Sequence, residues 1–263
     1  MKRRYSLVYR LGVLFGGVAL ILSAAGRSLA EAPSAANAAF SSYAAIVEAR
    51  LARQHQAAAS FLVPASPEVR RGVPEIESIA TPAVPGALLH HWRGTAFVPG
   101  ASAADFERLL RNFGAYPQIY APQVLRAGVL RQDGDHLTAF MRVRQKHVIA
   151  VVMDTSYDVT LARLDPQHGY SMSRSTHIAE IDSPGSASEH ALSPAQEHGF
   201  LWRLNTYWSY EERDGGLSIQ IESITLTRSI PHGLAWVVQP FVESIPRESL
   251  EFTLRATANA LHK

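Results

Sequence analysis

From about residue 88 onward the apolar positions change period in a definite order. Residues 90–98 read as a strand ended by Pro99 and Gly100. Ser102 is a good helix N-cap, Phe106, Leu109, Leu110 and Phe113 recur at helical spacing, and Gly114 stops the stripe. A short aromatic turn from Tyr116 to Pro122 leads into a strand at 124–132. Five more strands follow, at 137–146, 153–164, 169–181, 200–213 and 217–228. Leu137, Ala139, Met141 and Val143 alternate with Thr138, Arg142 and Arg144, and Tyr157, Val159 and Leu161 alternate with Asp158 and Thr160. Each strand therefore has a dry and a wet face, with acids of one facing arginines of its neighbour. Residues 233–261 turn helical again, and Pro240 and Pro246 are expected to kink that helix. The predicted fold is α+β, a seven-stranded curved antiparallel sheet around a long kinked C-terminal helix, with a space left between them.

Turn lengths place an opening. The tight turns at Asp133-Gly134, Asp165-Pro166 and Asp214-Gly215-Gly216 share one end of the meander. The other end receives the connections at 147–151, 183–199 and 229–233, so the mouth is expected there. One strand breaks its own pattern: Ile219 and Ile221 precede Ser223, and Ile224 and Leu226 follow with opposite parity. A bulge near Ser223 or burial on both faces would explain the slip. Either would bury Glu222 in part, raising its pKa or pairing it with a cation such as Arg203.

The first 87 residues divide differently. Residues 1–30 have a basic start (Lys2, Arg3, Arg4, Arg10), an apolar stretch and small residues at Ser28-Leu29-Ala30, the pattern of a signal peptide. The expectation is export to the periplasm or medium, with an uncleaved anchor as the alternative. Residues 31–62 form an accessory helix, Ala-rich, with Phe40, Tyr43, Ile46, Val47 and Leu51 on one face. Packing on the main domain, docking a partner and resting on a membrane surface are the alternatives for that face. Residues 63–87, with prolines at 64, 67, 74, 82 and 85, read as an extended linker, and 88–263 as the ligand-binding domain.

Charge and composition then exclude classes. Without residues 1–30 the chain has 20 basic and 23 acidic side chains, a net charge of about −3, so the basic excess that nucleic acid requires is missing. The chain has no cysteine, which removes disulfides, thiolate metal ligands and a Cys nucleophile. No nucleophile elbow, phosphate loop or dinucleotide fingerprint occurs, and neither cofactor nor metal is expected. His90 and His91 point to opposite faces of a strand, and His190 and His198 lie in a loop that fixes no metal-ligand spacing. The candidates for the cavity wall are Arg174, His177, Arg203, Asn205 and Glu222 as polar anchors, with Tyr157, Trp202 and Trp208 as aromatic lining.

The stretch Thr95-Ala96-Phe97-Val98-Pro99, followed by residues 104–110 and by Phe113-Gly114-Ala115-Tyr116-Pro117, resembles the START-like helix-grip superfamily near its polyketide-cyclase and coenzyme-Q-binding branch. The resemblance covers about residues 88–261. It implies the fold strongly and the activity weakly, because that superfamily holds lipid carriers, hydrophobic-ligand binders, cyclases and lyases without a shared catalytic motif. The expected function is binding of a hydrophobic small molecule or lipid between sheet and helix. The alternatives are a cofactor-independent cyclase, dehydratase or hydrolase using Glu222 or His177, and an envelope interaction module. Transient membrane contact and the oligomeric state stay open.

Overall fold

The computed structural model describes residues 31–57, 60–146, 150–229 and 235–262. Residues 1–30, for which a signal peptide was expected, therefore lie outside the described residues. The Ala-rich segment forms α1 (Ser34–Gln54), whose buried residues Ala36, Phe40, Ala44, Val47 and Leu51 recur every three or four positions. Ile46, placed on that stripe from sequence, is 65% exposed.

The Pro-rich segment does more than connect. Within it β1 (Glu75–Ile79) pairs antiparallel with β2 (Ala87–Pro99). Its prolines bracket the strand, Pro74 just before and Pro82 after, and an edge strand tolerates that arrangement. The N-cap predicted at Ser102 starts α2 (Ala103–Arg111) and is part of a capping box with Asp105: the Ser102 hydroxyl accepts from the Asp105 amide at 3.2 Å. The aromatic turn contains α3 (Tyr116–Ile119).

The meander follows as β3 (Val124–Asp133), β4 (His136–Lys146), β5 (Ala150–Arg163) and β6 (His168–Asp182), then the two-residue β7 (His190–Ala191), β8 (Arg203–Arg213) and β9 (Gly216–Arg228). Strand order is β1-β2-β9-β8-β6-β5-β4-β3, with β7 paired to β6. All seven predicted strands are present, joined by β1 at one edge and the short β7. Asp214 (φ 58°) and Gly215 (φ 78°) form the two-residue β8–β9 loop, where two left-handed positions match the twist of a tight hairpin. The expected cross-strand charge pairing also occurs: the Arg142 guanidinium donates to both carboxylate oxygens of Asp154, at 2.6 and 2.7 Å.

The C-terminal segment is α4 (Ala235–Leu261), a single 27-residue helix that continues through Pro240 and Pro246. The missing backbone donors are outweighed by burial of Leu250, Leu254 and Leu261 against the sheet. Gly94 of β2 permits the close approach: a β-carbon there would lie 3.2 Å from Leu254 Cδ2 and 2.9 Å from Ile76 Cδ1. This is the helix-grip arrangement that the resemblance implied.

The sheet is covered on its inner face by helices, and on its outer face by α1 over β2, β9, β8 and part of β6. The inner core joins α2, α3 and α4 to Ala139, Tyr157, Val159, Trp208, Ile219 and Ile221, with Phe106 edge-on to Trp208 and Tyr210 at 5.2 Å each. On the outer face, Phe40, Val47 and Leu51 of α1 pack on Leu89, Tyr207, Ile224 and Leu226. The pairing of β9 with both neighbours continues in register through Ser223, so no bulge is present. Burial on both faces explains the parity slip.

Candidate ligand-binding cavity

Between the sheet and α4 lies a cavity of about 280 Å³. Leu110 of α2, Phe113, Tyr116 of α3 and Tyr120 line one part of it. Met141, Val143 and Met153 from β4 and β5, with Leu250 and Phe252 of α4, make an apolar wall. Gln123, Gln145, Phe200 and Ser249 lie toward the end where the long connections gather, and the Gln145 amide donates to the Ser249 hydroxyl at 3.2 Å. Residues 147–149 and 230–234, at the end where the mouth was expected, lie outside the described residues.

The remaining wall is rich in hydroxyls. Ser173 of β6, Thr206 of β8 and Ser223 of β9 lie in register across three adjacent strands, and Thr225 and Thr227 extend the set along β9. The period of two sends Ile221, Ser223, Thr225 and Thr227 inward and leaves Gln220, Glu222, Ile224 and Leu226 facing outward. Among the described lining residues there is no Asp, Glu, Lys, Arg or His. The tyrosines stay protonated: burial pushes Tyr120 and Tyr157 up to about 12, and raises Tyr116 well above its usual value. Tyr116 donates to the Leu110 carbonyl at 3.0 Å, and Tyr120 shares a 2.9 Å hydrogen bond with Thr257.

Of the eight candidates, Tyr157 and Trp208 line this cavity. The other six do not, and for Arg174, Arg203, Asn205 and Glu222 strand parity is the reason. Glu222 is 1% exposed on the outer face beneath α1, where its carboxylate pairs with Arg50 and with His91 Nε2 at 2.8 Å, while Arg93 lies 3.8 Å away. Burial alone would raise its pKa, but the His91 hydrogen bond and the Arg50 charge outweigh that and hold it below the usual carboxylate value. The expected raised pKa is thus corrected, and the cation is Arg50 instead of Arg203. His91 Nδ1 shares a 2.9 Å hydrogen bond with the Tyr43 hydroxyl of α1.

Arg174 donates to Glu48 of α1 at 2.7 Å, and the Tyr207 hydroxyl donates to the same oxygen at 2.9 Å. These bonds prevail over burial and lower the Glu48 pKa. Arg203 lies over the Phe40 ring at 4.8 Å and donates to Asn37 at 3.4 Å, Asn205 donates to the Tyr207 hydroxyl at 2.9 Å, and Trp202 packs on the α1 cluster. His177 is exposed next to a register shift in the β5–β6 pairing. Glu222, Arg174, Arg203 and Asn205 are therefore part of the seat of α1. Sequence reasoning missed the inward hydroxyls, although the alternation of Ser171, Ser173 and Ser175 carried the signal.

Among the described residues no group of three or more His, Asp and Glu is placed to hold a metal ion, and no helix is long and apolar enough to cross a membrane. His198 instead shares a 2.8 Å hydrogen bond with the buried Glu180 carboxylate, which also accepts from the Phe200 amide at 3.0 Å.

No protein-family model matches the chain, and no curated protein does. Solved structures with a similar arrangement include a STAR-related lipid transfer protein fragment from Xanthomonas axonopodis, with 17% identity over 70% of this chain and 98% of that one and a TM-score of 0.44. The Zhui aromatase/cyclase from Streptomyces sp. R1128 has 13% identity over 65% of this chain and 93% of that one, with a TM-score of 0.45. Human STARD10 has 12% identity over 77% of this chain and 83% of that one, with a TM-score of 0.43. At these scores the likenesses decide neither ligand nor reaction.

Proposed function

We propose that this chain is an exported protein that binds a hydrophobic small molecule or lipid in the cavity between the sheet and α4. The carrying observation is the cavity: about 280 Å³, walled by Met141, Val143, Met153, Leu250 and Phe252. That size lies near the lower end of the roughly 300–1,000 Å³ range of small-molecule sites. An alkyl chain placed there would contribute about 0.8 kcal/mol per methylene. The cyclase-like reading with Glu222 or His177 as acid/base has lost its residues, since neither is on the cavity wall. The interaction-module reading has lost its docking face, since Phe40, Val47 and Leu51 are buried against the chain's own sheet. Export is supported by the composition of residues 1–30.

The test is native mass spectrometry of protein purified from its own envelope fraction. A co-purifying apolar molecule is expected, and Ser173→Phe, which fills the cavity from β6, should lose it while retaining the native circular dichroism. Protein that releases nothing on extraction and takes up no apolar probe would overturn the reading.

A further inference from the structure

We infer that the ligand is a neutral molecule with an oxygen function, an alcohol, ketone or ester on an apolar body, held by Thr225 and Thr227. This deepens the cavity-binding reading and rests on it. Two observations carry the inference. The described lining offers no charged side chain to pair with an ionised head group, which would have to shed its water on entering. The Thr225 and Thr227 Oγ1 atoms are buried and have no hydrogen-bond partner among the described residues. A buried hydroxyl without a partner is a standing cost that a ligand oxygen removes.

The placement suits one polar end and one apolar body. Thr225 and Thr227 are two residues apart on the inward parity of β9, so their α-carbons stand roughly 7 Å apart along the strand. Ser223, Thr206 and Ser173 continue the polar surface across the sheet, while Met141, Val143 and Met153 face the apolar body. A hydroxyl or carbonyl oxygen meets hydroxyl donors without requiring a counter-ion. A carboxylate or phosphate in the same place would keep its charge uncompensated.

The experiment is competition against N-phenyl-1-naphthylamine, a neutral apolar fluorophore, using octane, 1-octanol, 2-octanone and octanoate at pH 8. The alcohol and ketone should displace the probe at concentrations at least tenfold below that of octanoate. In a Thr225→Val/Thr227→Val variant, which preserves side-chain shape, the preference of 1-octanol over octane seen in the parent protein should shrink at least fivefold. Octanoate binding as tightly as 1-octanol, or an undiminished preference in the variant, overturns this inference and leaves the cavity reading standing. If the probe and all four compounds fail to bind, the cavity reading falls and this inference falls with it.

Discussion

Glu222 illustrates how much a single residue owes to a segment far away in sequence. Its buried state was legible from the apolar residues on both sides of it, but its partners were not. His91 and Arg50 reach it from β2 and α1, 131 and 172 positions away. Removing the carboxylate strands a guanidinium and a buried imidazole together. Glu222→Ala is expected to cost about 2–3 kcal/mol, discounted for the solvent that reaches Arg50, and urea unfolding measures it.

The same interface responds to acid. Burial, with a smaller contribution from the Arg50 charge, lowers the His55 pKa to about 4. Between that value and the ordinary 6.5 the unfolded chain binds more protons than the folded one, so stability falls as pH drops through this window. Glu222 and Glu48, both held below the ordinary carboxylate value, add further loss as pH falls toward their folded pKa values. His55→Phe keeps a ring beside Phe61 and Tyr170 and should flatten the dependence between pH 6.5 and 4. A set of unfolding midpoints across that range would show it.

Among the elements, α1 and α4 bound the legibility of the fold from opposite sides. The strands were readable because alternation and turn residues are local signals, visible at Asp214-Gly215 as at Ser102. The site residues were misplaced because an inward and an outward polar residue look alike until it is known that both faces are buried. The helix covering the outer face was itself visible in the sequence, with its docking left open. Phe40 of α1, fully buried against the sheet, tests that docking: Phe40→Ala should destabilise by about 3–4 kcal/mol. On the inner face, Gly94→Val should force Leu254 and Ile76 outward, lowering the melting temperature and altering probe affinity together.

For the whole molecule, α1 is part of the fold instead of an appendage. Its removal would bare Leu89, Tyr207, Ile224 and Leu226 and leave Glu222 and His91 facing solvent without Arg50 and Tyr43. A chain lacking residues 31–62 is expected to aggregate or melt far below the parent, as light scattering during a thermal ramp would report. Soluble, cooperative unfolding of that deletion would show that the outer face needs no cover.

The double covering has a mechanical consequence. The strands β2, β9 and β8, braced from behind by α1, resist flattening to admit a guest, so the compliance that entry demands falls to α4, with its Gln145–Ser249 latch, and to the strands that α1 does not cover. Filling the chamber should then slow amide exchange along α4 more than in the already shielded β8 and β9. The strands under α1 act as a stiff wall, and the terminal helix belongs to the yielding side of the container.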